Sequence, residues 1–446
     1  MKKLRLFFCG MMFIVAAVAA AQSQTVRLYC AGGKCSELTL RVCGEGVVHV
    51  NWGEGEEGDY ANGILPGKCH SDTVVITMPP TITGFDCEGS CISWIDVNGA
   101  PNLVSLNCAD NRLRALNVDS LTLLDELVCS SNELERLNTA SCAGLRYLDC
   151  ADNYIDILDL GANTRLEVLC CSGNRLTTLN LGGNDALRGL WGGGNDIGSL
   201  DLGLCRDISS VVMSDGSLGS IALGPATRLQ DLWLDSNDLA ALDFRGVDAL
   251  LTANVSNNRL EKIDVRNFSG KTQIYFLDVS YNRLPFSSFY PYTKVQHYVC
   301  GWQDGIYCGY DSLAINELTD FAALITNAGG NKIGALAAYD AATDWELERG
   351  SNTKDYQYLI GRVRFWHEID SVYFVITSAK YPDLEIRTNN FVVYDPELVG
   401  IHSVYYDNGQ QTTDNGPDEI YDLTGRKLSS PLKNQIYIRN RKKVLQ

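Results

Sequence analysis

The chain has 446 residues, a formal charge of −17 and 45% hydrophobic residues, so it is long enough for several domains and apolar enough for folded cores. Its acidity repels phosphate backbones and anionic lipid, which disfavours nucleic-acid and membrane-surface roles. Of its five histidines (His49, His70, His297, His367, His402) none sits in H-E-x-x-H, and no G-x-S-x-G or P-loop run occurs. No catalytic residue, metal ligand or cofactor is therefore expected, and the chain reads as a non-enzyme.

The first residues, "MKKLRLFFCGMMFIVAAVAAAQSQ", place Lys2, Lys3 and Arg5 before an apolar run that ends in small residues. That is the layout of a secretory signal peptide over residues 1–21, and its removal makes the remainder three charges more negative. Over residues 22–81, "LTLRVCGEG", "VVHVNW" and "DTVVITM" alternate like short strands between glycine-rich turns, which predicts a β cap. Within it, "VNWGEGEEGDY" resembles the tight W-G-D-G hairpin of some extracellular β-domains, with Glu54 in place of the aspartate. Its acidic cluster lacks the D-x-[DN]-x-[DN]-G spacing of a calcium loop and is expected to be a solvated turn.

From residue 82 to 295 asparagines set a ruler: Asn111, Asn132, Asn153, Asn174, Asn195, Asn237 and Asn258 are spaced by 21 residues or a multiple of 21. Ser90 and Gly216 fill the two off-type places, and Asn282 follows after a longer interval of 24. Each unit reads L-x-x-L-x-(C/L/V)-x-x-N-x-L-x-x-L-(D/N)-(L/V), as in "LVSLNCADNRLRALNV" and "LQDLWLDSNDLAALDF". One unit cannot bury its leucines alone, but stacked units form a continuous core. The pattern resembles the leucine-rich repeat family, and the resemblance implies a right-handed solenoid with parallel strands on the concave face and a mostly irregular convex side. It also implies that the asparagine side chains bond backbone groups in the turn; Gly216 cannot, so a looser turn is expected there.

Cys87, Cys108, Cys129, Cys150 and Cys171 occupy one inward position in successive units, taken later by Gly192, Met213, Leu234 and Val255. Replacement mostly by plain hydrophobes marks a packing position. Strands about 4.8 Å apart with parallel Cβ vectors do not suit a disulfide. Five reduced, buried thiols are expected. Cys142 and Cys205 share another position three turns apart and are not expected to pair. Cys30, Cys35, Cys43 and Cys69, with Cys91 nearby, could staple the cap, but their connectivity is open. Cys300 and Cys308 bracket "CGWQDGIYC" in residues 296–308, a predicted cap loop, and are the expected disulfide of an exported chain.

Alternation within each strand sends Leu148 inward and Tyr147 and Asp149 outward. The same outward column carries Asn107, Val128, Asp149, Cys170, Trp191, Val212, Trp233 and Asn254. Exposed tryptophans on a concave sheet are favoured binding anchors. The candidate partner-binding residues are Tyr147, Val168, Trp191, Val212, Asp231, Trp233 and Asp235. The competing expectation is that the rings lie flat over small neighbours, with Gly192 to Gly194 giving room. Acids that recur beside the core leucine, at Asp96, Asp159, Asp201, Asp243 and Asp264, are expected to be a solvated ladder.

After the repeats, "NRLPFSSFYPYTKVQHYVCGW" is expected to seal the open end with aromatics. Residues 309–396 alternate as several strands of immunoglobulin-like size, with "LTDFAALITNAGG" as a helix or long crossover. Residues 397–418 form a polar linker. The last 28 residues, 419–446, contain "IYDLTGRKL", with Tyr421, Asp422, Gly425 and Arg426, and the strand "IYIRNRKKVL". They resemble the C-terminal sorting domain of the type IX (Por) secretion system, although Gln435 stands where a glycine commonly precedes the last strand. The resemblance implies secretion machinery as a partner and an extracellular or outer-surface location in a Gram-negative bacterium; the bland alternative is a terminal β-hairpin.

The expectation as a whole is an exported surface or secreted repeat protein that holds a protein or peptide ligand on its concave face and mediates adhesion. Carbohydrate binding by stacking on the tryptophans is the alternative, and a structural spacer is a third.

Overall fold

The computed structural model describes residues 22–30, 38–263, 274–289, 295–327 and 329–396, with four short strands beyond residue 419. The chain divides into two compact units, one comprising Met1–Arg259, Asp264–Asp278 and Lys294–Tyr298, the other Leu260–Ile263, Val279–Thr293 and Val299–Gln446. Residues 1–21, expected as a signal peptide, and 397–418, expected as a linker, lie outside the described residues. So do Asp422, Gly425 and Arg426 of the sorting motif; Tyr421 lies in a short strand, Ile420–Tyr421.

The first unit is a β-solenoid whose turns each contribute a three-residue strand. Ser105–Asn107, Glu126–Val128, Tyr147–Asp149, Val168–Cys170, Gly189–Trp191, Ser210–Val212, Asp231–Trp233 and Thr252–Asn254 pair in parallel, rung on rung. Strand Ile274–Asp278 continues the ladder in the same register. The middle residue of each rung, from Leu106 through Leu232 to Leu277, is fully buried. From Ser105–Asn107 to Thr252–Asn254 the register is constant because the repeat length is, each apolar middle residue falling on that of the turn before it; the step from Ala253 to Leu277 is 24 residues and keeps the same alignment.

The predicted cap is an antiparallel sheet whose strands include Gln24–Cys30, Leu38–Gly53, Glu56–Gly67 and Thr73–Met78. The long strand Leu38–Gly53 pairs with Ile82–Asp86, which in turn pairs in parallel with Ser105–Asn107. Cap and solenoid are thus one sheet, and the cap blocks the edge that would otherwise be open to pairing with another chain. The W-G-E-G hairpin turns at Glu54 and Gly55, both at positive φ (52° and 83°), the requirement of a tight two-residue connection.

The asparagine ladder forms as the resemblance implied. Asn153 accepts the Leu134 N–H at 2.9 Å and donates to the carbonyls of Cys129, Cys150 and Ala151 at 3.0, 3.2 and 3.2 Å. Asn111, Asn132, Asn174, Asn195, Asn237 and Asn258 repeat the arrangement. Gly216 supplies no side-chain bond, only its N–H to Ser236 O at 3.1 Å. A second asparagine ladder forms further along each unit, where Asn163 donates to Thr139 O and Cys142 O, and Asn184 donates to Leu160 O and Asn163 O. The recurring acids Asp159, Asp201 and Asp243 are exposed and accept the backbone N–H two residues on, so they shape turns.

The five ladder cysteines are all 0% exposed thiols. Burial pushes Cys108 and Cys171 up to about 12 and Cys87, Cys129 and Cys150 well above 9.0. A protonated, enclosed thiol neither attacks nor coordinates. With a thiol reagent at neutral pH, these five are expected to stay unmodified in the native protein and to react fully once it is denatured; a chain with no titratable thiols contradicts the ladder.

In the second unit Asn282 accepts the Leu260 N–H at 2.9 Å, and the ruler does not stop there. Gln303, 21 residues on, takes the asparagine role: its side chain accepts the Leu284 N–H at 2.9 Å and donates to Val279 O, Cys300 O and Gly301 O. Cys300 correspondingly stands 21 residues after buried Val279, at the packing position. Residues 296–308 are therefore not a cap loop but include the end of one further turn. The expected Cys300–Cys308 disulfide is not formed, because Cys300 belongs to the inward column while the Cys308 Sγ sits 3.3 Å from Tyr310 O.

Beyond that turn lie a seven-stranded sheet and a three-stranded one. The first includes Ala335–Asp340, Ile369–Ser378, Tyr381–Thr388 and Phe391–Tyr394, and the second Thr319–Asp320, Arg362–Phe365 and Tyr356–Tyr358. Phe321, Phe365, Phe374 and Phe391 form their aromatic core. The segment expected as a helix or crossover holds, among its described residues, the strand Thr319–Asp320 and a short 3-10 turn, Ala322–Ile325. Phe286 and Phe289 are buried and pack on Tyr381.

Candidate binding surface

Strand pairing places the predicted surface residues in two columns. Asn107, Val128, Asp149, Cys170, Trp191, Val212, Trp233, Asn254 and Asp278 face one another across successive rungs. Tyr147, Val168, Gly189, Ser210, Asp231, Thr252 and Phe276 form the parallel column. The structure thus brings Tyr147, Val168, Trp191, Val212, Asp231 and Trp233 onto one face. Asp235 follows the Trp233 rung and accepts the Ser214 hydroxyl at 2.6 Å.

Both tryptophans lie down on the sheet. The benzo ring of Trp191 occupies the space a side chain at Gly189 would need, since a Cβ there would meet the ring at 2.4 Å. The glycine that makes room is thus Gly189 and not Gly192 to Gly194, as expected from sequence. Gly192 faces Met213 Sδ and Gly193 faces the Ser214 carbonyl. Trp233, 37% exposed, stacks on Phe276 with ring centroids 6.0 Å apart and planes within 16°. Val168 and Val212 are half-buried beside them. The outcome is a flat, partly exposed apolar floor rather than projecting anchors.

Charged and polar groups border this floor. Arg146 holds Asp125 through two bonds, at 2.6 and 2.7 Å, and lies 3.8 Å from Glu167, which lies 3.5 Å from Arg188. These four residues sit immediately before successive strands, so they form an alternating-charge row along one edge of the sheet. Asp231 accepts the Thr252 hydroxyl at 2.7 Å, and Ser105 donates to Glu126 at 3.2 Å. Partial burial raises the Glu126 carboxyl, with the Ser105 bond opposing. Burial, followed by the nearby Cys170 and Asp149, raises the Tyr147 hydroxyl, so Tyr147 stays neutral at physiological pH. No group of three or more His, Cys, Asp or Glu side chains placed to hold a metal ion occurs among the described residues.

Two features of this face escaped the sequence. Phe276 lies within the interval of 24 from Asn258 to Asn282, where the ruler changes step. The ion row was present as the period-21 series Asp125, Arg146, Glu167, Arg188, and its alternating sign was the signal.

The chain matches no family model and no curated protein. Among solved structures it is similar to leucine-rich repeat proteins. An internalin, InlF of Listeria monocytogenes, shares 17% identity with a TM-score of 0.44, over 50% of this chain and 68% of that one. The leucine-rich repeat domain of APL1B shares 22% identity with a TM-score of 0.42, over 55% of this chain and 81% of that one. The functional domain of InlJ from Listeria monocytogenes, described as including a cysteine ladder, shares 16% identity with a TM-score of 0.30, over 73% of this chain and 94% of that one. No helix among the described residues is long and apolar enough to cross a membrane.

Proposed function

We propose that this is an exported protein that binds another protein through its concave sheet, without catalysis. The observation that supports this most is the apolar floor of Tyr147, Val168, Trp191, Val212, Trp233 and Phe276, with the ion row Asp125–Arg146–Glu167–Arg188 along one edge. A broad apolar centre with a polar rim is the anatomy of a protein interface. The rings contribute contact area at little conformational cost, and the ion row sets orientation and excludes partners of the wrong charge pattern. Export rests on the signal-like residues 1–21 and on the tail that resembles a type IX sorting domain, and the two-sheet region at 309–396 is read as an immunoglobulin-like spacer.

A pull-down from surface extracts, followed by calorimetry on the partner it identifies, tests the proposal. The double variant Trp191→Ala/Trp233→Ala is expected to weaken binding by a hundredfold or more, given about 2 kcal/mol per buried tryptophan anchor. Its melting transition should move little, because the rings cover the sheet and do not fill the core. Unchanged affinity in the double variant removes the concave face from the interaction.

A further inference from the structure

We infer that a second, smaller site for neutral oligosaccharide lies on the turn face of the last two repeats, built on Tyr281 and Trp302. The residue before each ladder asparagine adopts a left-handed backbone: Asp110, Ser131, Asp152, Gly173, Gly194, Asp215, Ser236 and Asn257 have φ between 52° and 67°. Apart from two serines, these are glycine, aspartate and asparagine, the residue types that tolerate this conformation. In the last two turns the position passes to Tyr281 and Trp302, both at φ 53°. A bulky ring in that conformation is an outlier, and such outliers persist where a function holds them.

The rings do not repay the strain by packing into a core. Each residue is 56% exposed, and the two rings stack on each other with centroids 6.5 Å apart and planes within 8°. Trp302 had been expected, as the last residue of the aromatic stretch after the repeats, to help seal the solenoid end, yet it is exposed, whereas Phe286 and Phe289 of the same stretch are buried. Polar groups lie two residues further along each turn. Arg283 is exposed, with its Nε 4.0 Å from where a side chain at Gly305 would begin, and exposed Asp304 accepts the Gly305 N–H at 2.7 Å.

The size and surroundings of this pair decide the ligand class. A stable protein interface takes about 800 Å² from each partner, far more than two rings offer. A pair of stacked, exposed rings, each followed two residues along the chain by an exposed charged side chain, Arg283 and Asp304, suits a pyranose. The ring's negative face attracts polarised C–H groups, as it attracts cations, while Arg283 donates to hydroxyls and Asp304 accepts from them.

The full chain titrated calorimetrically with cellohexaose, chitohexaose and maltohexaose tests this site, with Tyr281→Asn and Trp302→Asn as variants. At least one oligosaccharide is expected to bind at millimolar concentration or below, and each variant to weaken it at least tenfold. Asparagine is at ease in the left-handed conformation, so both variants should melt no lower than the parent, which separates a lost ligand contact from a damaged fold. Trp191→Ala/Trp233→Ala should leave sugar binding unchanged. The inference is overturned if none of the three sugars binds, if binding survives both ring variants, or if the two variants lose only a protein partner.

Discussion

Raising the pH from 9 toward 12 is expected to unfold the solenoid steeply. Cys87, Cys108, Cys129, Cys150 and Cys171 are fully buried, and burial holds each well above the ordinary thiol value of 9.0. An unfolded chain releases these protons near pH 9 while the folded chain keeps them. Unfolded thiols therefore bind fewer protons than folded ones, so stability falls as pH rises. The contribution is complete below pH 9 and is lost progressively toward the folded values, about 12 for Cys108 and Cys171. Each thiol adds a slope of at most ~1.4 kcal/mol per pH unit, and five together reach roughly 7. Circular dichroism against pH reads the transition. Replacing the five by alanine or valine should flatten it above pH 9; an equally steep transition in that variant would assign alkaline unfolding to other groups.

Asn153→Ala is expected to cost roughly 3–4 kcal/mol, more than most single surface changes in the chain. The amide serves four backbone groups at once: the Leu134 N–H and the carbonyls of Cys129, Cys150 and Ala151. Alanine leaves the buried Leu134 N–H without its acceptor, and an unmade bond there costs more than a net bond contributes. Asn153→Asp should also lose stability, because a carboxylate can accept from Leu134 but cannot donate to the carbonyls. Urea unfolding followed at Trp191 measures both. A loss below about 1 kcal/mol in Asn153→Ala would mean that the turns are held by leucine packing alone.

The solenoid was legible because stacking imposes its own arithmetic: a residue that must meet its counterpart in the next turn reappears after 21 positions. Leu148, Cys150 and Asn153 show this directly, and the outward column around Trp191 followed from strand alternation. The register failed where chemistry was conserved but residue identity was not. Gln303 reaches the same carbonyls as the asparagines with one more methylene, so the turn it closes read as a loop, and Cys300 read as half of a disulfide. Ring orientation was equally hidden. Whether Trp191 projects or lies flat depends on Gly189, two residues away on the same face, while the glycines that follow it are occupied by Met213 and Ser214. The strained backbone at Tyr281 and Trp302 becomes visible only once φ is known, because nothing in a residue's name announces the conformation forced on it.

The most direct measurement is amide hydrogen exchange on the protein free and in complex with its captured protein partner. New protection is expected on the strands from Tyr147–Asp149 to Thr252–Asn254 and at Arg188, with the exposed convex turns at Asp159, Asp201 and Asp243 exchanging as before. Protection confined to those convex turns, with the concave rungs unchanged, would contradict binding through the Trp191–Trp233 floor.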